Sequence, residues 1–303
     1  MSRAAHPHAL LRPRVALPFL TIALIWGSTW FVITGQIRGV PPEWSVAFRF
    51  MLATPAMFAL ALVLGNRLKM PWRAHALAVF VGLCQFAGNY SFVYQAERHL
   101  TSGIVAVMIG MMIVPNAVLG RLVLHQPITR RFALGSLVAM AGIALLLINE
   151  ARGARVGGDV MTGVWLALGA MFAASVSNVI QANKTGRSVP LLTLIAWSML
   201  YGTAFDIAIA WHFAGPPPSL PGETYWLGTA YLAFAGSVVT FPLYYGLIRE
   251  IGAGRAAYHN VLVVIVAMVL STWLEGYRWT NLAMAGSALS LFGLLVALRA
   301  KSV

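Results

Sequence analysis

The sequence predicts an all-α polytopic membrane protein: ten transmembrane helices arranged as two inverted five-helix repeats. Three observations carry this. Only 10% of the 303 residues are charged and 59% are hydrophobic, with mean hydropathy +0.78, whereas a soluble domain carries about a quarter charged residues. Apolar runs of about 20 residues recur, the length at which an α-helix crosses hydrocarbon, and they lack the period-2 alternation of outer-membrane strands. Finally, the chain matches itself at offsets of 149 and 151 residues.

In order, the spans are expected at 17–35, 44–64, 74–94, 101–120, 132–148, 161–182, 191–213, 225–248, 256–274 and 279–298. The first follows a basic stretch, MSRAAHPHALLRPR, of the kind that opens a signal peptide. Its apolar run is about 19 residues long and ends without a small-x-small cleavage pattern, so a retained helix is expected. The second span carries WSVAFRFMLATP, which places Arg49 inside an otherwise apolar run. The third contains Cys84, the single cysteine, which excludes an intramolecular disulfide and a CxxC metal site. Every connection is short, so no separate soluble domain is expected. The predicted organisation is a cytoplasmic tail (1–14), a first repeat (15–148), an extracytoplasmic linker (149–160), a second repeat (161–299) and a cytoplasmic tail (300–303).

The net charge of +13 would suggest nucleic acid in a soluble protein, but here it reports topology. With the N-terminus inside, 15 of the 21 Lys and Arg residues fall in cytoplasmic segments, among them Arg67, Lys69, Arg73, Arg121, Arg130, Arg131, Lys184 and Arg187. Outside lie 5: Arg38, Arg98, Arg152, Arg155 and Arg278, and Arg49 is the one left over. This bias agrees with ten spans and both termini in the cytoplasm.

The repeat is specific in its spacing. Arg38-Gly39-Val40-Pro41 recurs as Arg187-Ser188-Val189-Pro190, 149 residues on. Tyr94, Arg98, Gly103, Ala106, Gly135 and Gly142 match Tyr245, Arg249, Gly254, Ala257, Gly286 and Gly293, 151 residues on. Five spans per unit is an odd number, so the second unit is inverted relative to the first. That is the architecture of secondary transporters, with the substrate site near the midplane between the halves.

ALIWGSTWFVI in the first span, VPPEWSVAFRFMLA entering the second, and the glycine-spaced RRFALGSLVAMAGIALLLI and TNLAMAGSALSLFGLLVAL together resemble the drug/metabolite transporter superfamily. The resemblance is to its ten-helix EamA-type members and covers residues 15 to 299. It is nearest to bacterial inner-membrane exporters of aromatic and other neutral amino acids, and it implies export by alternating access. Members of the family often carry a glutamate near the end of the fourth helix of each unit. Here the second unit has Glu275, while the first has His125. The small four-helix relatives bind cations and protons on a glutamate within helix 1, where this chain offers Trp26, Ser28, Thr29 and Trp30. That departure argues against proton-coupled efflux of cationic drugs by their mechanism.

Arg49 and Asp206 are the ionisable residues placed well inside spans. Counted at 1.5 Å per residue, each lies about 8–11 Å deep at the outer mouth. Arg49 is expected to be an architectural anchor that snorkels or meets carbonyls, with substrate contact or pairing to Asp206 as the alternatives. The expected substrate-pathway residues are Trp26, Gln85, Asn89, Met108, Met111, Met112, Asn178, Ser237, Thr240, Tyr244 and His259. Trp26, Gln85, Met111, Met112 and Ser237 are expected at the midplane, while Gln181, Tyr245 and Asn260 join Asn178, Thr240, Tyr244 and His259 towards the cytoplasmic side. Polar groups at this depth must face protein or water, so interhelical hydrogen bonding is the competing reading for each. His259 could also relay protons. Pro55, Pro115 and Pro242 are expected hinges that free the carbonyls of Met51, Met111 and Val238. Gly135 with Gly142, and Gly286 with Gly293, share helix faces and point to close packing.

The expected function is export of neutral, aromatic or hydrophobic amino acids, with efflux of other small neutral metabolites or drugs as the alternative. No HExxH, GxSxG or Walker motif suggests an enzyme. The expected partners are a small-molecule substrate and membrane lipid, with no cofactor, metal or nucleic acid, and a monomer as the default. Facilitated diffusion and proton antiport stay equally open.

Overall fold

The computed structural model describes residues 13–124, 128–153, 159–219, 221–251, 256, 259–274 and 276–298. His125, Glu275, Gly254, Ala257, most of both tails and residues 154–158 of the linker lie outside these. The described residues form ten apolar helices. These are α1 (Pro13–Gln36), α2 (Pro42–Val63), α3 (Trp72–Ala96), α4 (Ser102–Leu124) and α5 (Arg130–Gly153), followed by α6 (Val160–Ile180), α7 (Leu191–Ala214), α8 (Glu223–Glu250), α9 (His259–Leu274) and α10 (Asn281–Leu298). Seven are long and apolar enough to cross a membrane, and shorter apolar stretches lie within α5, α9 and α10. Outward-facing Leu17, Trp165, Phe172, Phe213 and Trp273 give the bundle an apolar exterior suited to lipid.

The packing follows the repeat. α1 lies on α9 as α6 lies on α4, and α1 meets α8 as α6 meets α3. The pairs α2–α7 and α5–α10 join equivalent helices of the two halves. On the α2–α7 seam, the hydroxyls of Thr54 and Thr203, 149 positions apart, share a 2.8 Å hydrogen bond. In the α5–α10 pair the glycines bring backbones together. A Cβ on Gly142 would sit 2.3 Å from the Ser290 nitrogen, and one on Gly293 2.2 Å from the Ala139 nitrogen. The pair touches the rest of the bundle lightly, leaving a mostly apolar groove of about 310 Å³ between α4, α9 and α10, with Trp273 and Trp279 in its wall.

Helix interruptions also recur. α3 widens into a π-helix over Gly82–Asn89, and α8 does so over Phe234–Val239. Moved by the 151-residue offset, the first segment covers 233–240 and so encloses the second. Such π-segments gather at functional sites because the wider turn releases backbone groups. α3 approaches α7 at this level through paired glycines: a Cβ on Gly82 would lie 2.5 Å from the Ser198 carbonyl oxygen, and one on Gly202 would lie 2.5 Å from the Phe86 Cβ. α4 is broken into Ser102–Gly110 and Ile113–Leu124 just before Pro115. Contrary to expectation, the Met111 carbonyl is not left free there. The chain tightens, and that oxygen accepts the Val114 N–H at 2.9 Å. α2 runs unbroken through Pro55 to Val63, and Gly65, with φ of +71°, closes the turn after it.

Candidate functional site

A cavity of about 70 Å³ lies between the halves, walled by α1, α3, α4, α6, α8 and α9. It exceeds several-fold the 10–15 Å³ that one water needs. Its lining includes Trp26, Trp30, Gln85, Asn89, Tyr90, Met112, Asn178, Phe241, Tyr244 and Asn260, with no Asp, Glu, Lys or Arg. Of the residues expected along a substrate path, Trp26, Gln85, Asn89, Met112, Asn178 and Tyr244 line it. Met108, Met111, Ser237, Thr240 and His259 do not; they are packed behind its wall. Trp30, Tyr90 and Phe241 were not singled out as pathway residues, because an aromatic in an apolar span carries no sign of which way it faces.

The wall is held by hydrogen bonds from its own polar groups. The Asn89 side-chain NH₂ donates to the Ala170 carbonyl at 2.9 Å, tying α3 to α6. The Asn178 NH₂ points at the Met112 sulfur and the Tyr244 hydroxyl, both at 3.3 Å. Trp26, Tyr244 and His259 form a triangle of rings, with centroids 5.2, 5.2 and 4.8 Å apart. His259 Nδ1 meets the Ala256 carbonyl at 2.8 Å, which as the N–H donor leaves Nε2 as an acceptor.

Of the two anchoring modes expected of Arg49, the structure has the carbonyl contact and not the snorkelling. The residue is 1% exposed, and its guanidinium turns inward to the π-segment of α8. Nε donates to Ser237 Oγ at 3.1 Å, and Nη2 donates to the Gly236 carbonyl at 3.1 Å. Weaker contacts of 3.4 Å reach the hydroxyls of Tyr90 and Tyr94, and the guanidinium carbon lies 4.4 Å from the centre of the Tyr90 ring. The Gly236 carbonyl also accepts from Trp26 Nε1 at 3.1 Å and from the Thr240 hydroxyl at 2.8 Å. Three helices therefore send donors to one oxygen. A Cβ on Gly236 would be tight, 3.0 Å from Thr29 Cγ2 and 3.1 Å from Arg49 Nη2.

Asp206 is not paired with Arg49. It is 1% exposed on α7, and neither carboxylate oxygen has a hydrogen-bond partner among the described residues. The two charges belong to different helix contacts, so a shared outer-mouth pair is not formed. Pro242 follows the α8 π-segment, and side-chain donors converge there on Gly236 rather than on the expected Val238 carbonyl.

A helical bundle with two like halves and an uncharged cavity between them defines a small-molecule membrane transporter. The chain belongs to the EamA-like transporter family, of the drug/metabolite transporter superfamily, which matches residues 14–148 and again 161–299. It is 22% identical over 293 residues to protein PagO of Salmonella typhimurium, covering 95% of this chain and 94% of that one. It is 27% identical over 274 residues to the uncharacterized inner membrane transporter YedA of Escherichia coli K12, covering 88% and 86%. To a "probable amino-acid metabolite efflux pump" of Salmonella typhimurium it is 24% identical over 287 residues, covering 91% and 92%. A solved crystal structure shares the fold with a TM-score of 0.66 at 20% identity, covering 93% of this chain and 95% of that one.

Proposed function

We propose that the protein exports neutral amino acids with aromatic or hydrophobic side chains across the bacterial inner membrane by alternating access, with both termini in the cytoplasm. The observation that carries this is the cavity's lining: tryptophan, tyrosine, phenylalanine and methionine beside neutral amides, and no ionised side chain. Such a wall suits an apolar side chain attached to a head group whose charges cancel. A phosphorylated or doubly charged substrate would need basic clamps that the wall lacks. The efflux pump named for amino-acid metabolites supports the reading at 24% identity, and the inner-membrane relative supports the location.

Alternating access draws on the two π-segments and the break before Pro115, where helices already depart from regular hydrogen bonding. The test is export from cells. Bacteria making the protein and loaded with a phenylalanine-containing dipeptide should release free phenylalanine faster than cells making a Trp26→Ala variant. Equal release would remove the neutral amino acid reading and favour another small neutral metabolite or drug.

A further inference from the structure

The repeat carries one basic motif twice, and the two copies differ in charge. In the first half, Arg98 Nη1 donates to Gln95 Oε1 at 3.2 Å, and the Gln95 amide donates in turn to Glu43 Oε1 at 2.6 Å. That basic end is matched by acid, with Glu97 next to Arg98 in sequence. Moved by the offsets of 149 and 151 residues, Arg38 and Arg98 become Arg187 and Arg249, while Glu43, Gln95 and Glu97 become Leu192, Gly246 and Ile248. Gly35 becomes Lys184. The second copy has lost its acids and gained a cation.

The structure brings the three cations together. Lys184 and Arg187 are exposed on a single helical turn, Lys184–Arg187, between α6 and α7. Arg249, half-buried in the last turn of α8, holds that turn. Its Nη2 donates to the Gly186 carbonyl at 2.7 Å and its Nη1 to the Val189 carbonyl at 3.3 Å. Arg187 donates from Nε to the Ala182 carbonyl at 3.0 Å, and its Nη1 lies 3.5 Å from the Arg249 carbonyl. Every acceptor is a backbone oxygen. Among the described residues no carboxylate is paired with these cations, the exposed Glu250 included, and the Lys184 ammonium and Arg187 Nη2 make no hydrogen bond. The connection that follows, 251–258, adds Arg255 and no acid. Like charges gathered without a counter-ion repel one another, and an anion set among them relieves that cost.

We propose that Lys184, Arg187 and Arg249 form a binding site for the headgroup phosphate of an anionic phospholipid in the cytoplasmic leaflet. Arg249 stands at the end of a membrane span, which puts the cluster at headgroup level. The places of the acids are taken by Leu192 and Ile248, which pack into the apolar core. Guanidinium and ammonium donors suit phosphate oxygens, and the anionic lipids of the cytoplasmic leaflet attract basic groups beside a span. A bound lipid would hold the turn between α6 and α7 against α8. This goes beyond the transported solute, and rests on the proposed orientation of the bundle rather than on its substrate.

The experiment uses the full chain in detergent micelles, with bound lipids counted by native mass spectrometry as phosphatidylglycerol or phosphatidylcholine is titrated in. Phosphatidylglycerol should bind more tightly than phosphatidylcholine. Lys184→Gln should weaken it about fivefold, the loss expected for one cation beside the membrane, and adding Arg187→Gln should weaken it about as much again. The Lys184 ammonium bonds to nothing in the fold, so its removal leaves the turn intact. Arg38→Gln with Arg98→Gln, the counterparts in the first half, should leave lipid binding unchanged. Undiminished phosphatidylglycerol binding in the Lys184 and Arg187 variants, an equal loss in the Arg38 and Arg98 pair, or phosphatidylcholine bound as tightly would overturn the site. Displacement of the lipid by inorganic phosphate at equal concentration would also overturn it, by assigning the cluster to a soluble anion. Binding in micelles is read without transport and without a defined orientation, so this proposal and the proposed function fail separately.

Discussion

Arg49 shows how a charge is kept inside an apolar bundle with no carboxylate partner among the described residues. Its donors reach a serine hydroxyl, a backbone carbonyl and two tyrosines, and one tyrosine ring faces the guanidinium. The planar fork matters, because Nε and Nη2 address Ser237 and Gly236 together, which a lysine ammonium on a flexible stem does not reproduce. Arg49→Lys should therefore lower unfolding stability in detergent by about 1.5–3 kcal/mol, the range for hydrogen bonds to a charged group. A variant as stable as the parent would show that the fork is dispensable. The oddity of this arginine was legible in the sequence, but its destination was not. Depth counting put the Cα near the outer mouth and said nothing of a side chain long enough to run inward to α8. Asp206 carried the same ambiguity, since sequence placed two opposite charges at one depth without saying that they sit in separate helix contacts.

Helices of this chain are set by small residues and by departures from the α geometry, and these two signals differ in how well a sequence records them. The seven-residue spacing of Gly135 with Gly142 and Gly286 with Gly293 marked a close-packing face on each of α5 and α10, though not that the two faces meet each other. Gly293→Ala and Gly142→Ala should each destabilise the protein by about 1–3 kcal/mol through overpacking. Gly246→Ala, where nothing lies within 4 Å of the added Cβ, should be neutral or stabilise by up to about 1 kcal/mol. Thermal unfolding of the three variants in one detergent checks this, and equal losses at all three would contradict the contact. The π-segments were not legible. GLCQFAGN and FAGSVV carry no residue that dictates a wider turn. The prolines drew attention to nearby carbonyls, yet Met111 is satisfied by local tightening and Gly236 became the shared acceptor. A proline in sequence says where a donor is missing, not which oxygen the fold then exposes.

At the scale of the whole molecule, the repeat, the hydropathy and the basic-loop bias were enough to give the class, because membrane burial imposes long periods that survive without an alignment. Thr54 and Thr203 meeting on the seam at the repeat offset shows that arithmetic made physical. The cavity lining was only half legible, since depth fixes a residue's level in the membrane but not its face, and so Met108 and Met111 were expected beside Met112. Orientation is a separate expectation: a fluorescent protein fused after Val303 should fold and fluoresce in cells, and an alkaline phosphatase fused there should be inactive. Reversed signals would invert the proposed direction of the bundle. The central claim is carriage of a neutral amino acid through the cavity, and counterflow tests it most directly. Proteoliposomes preloaded with phenylalanine, tryptophan or methionine, without a pH gradient, should accumulate labelled phenylalanine transiently and saturably, and a Trp26→Ala variant should not. No exchange with any of the three, from folded protein, would contradict the account.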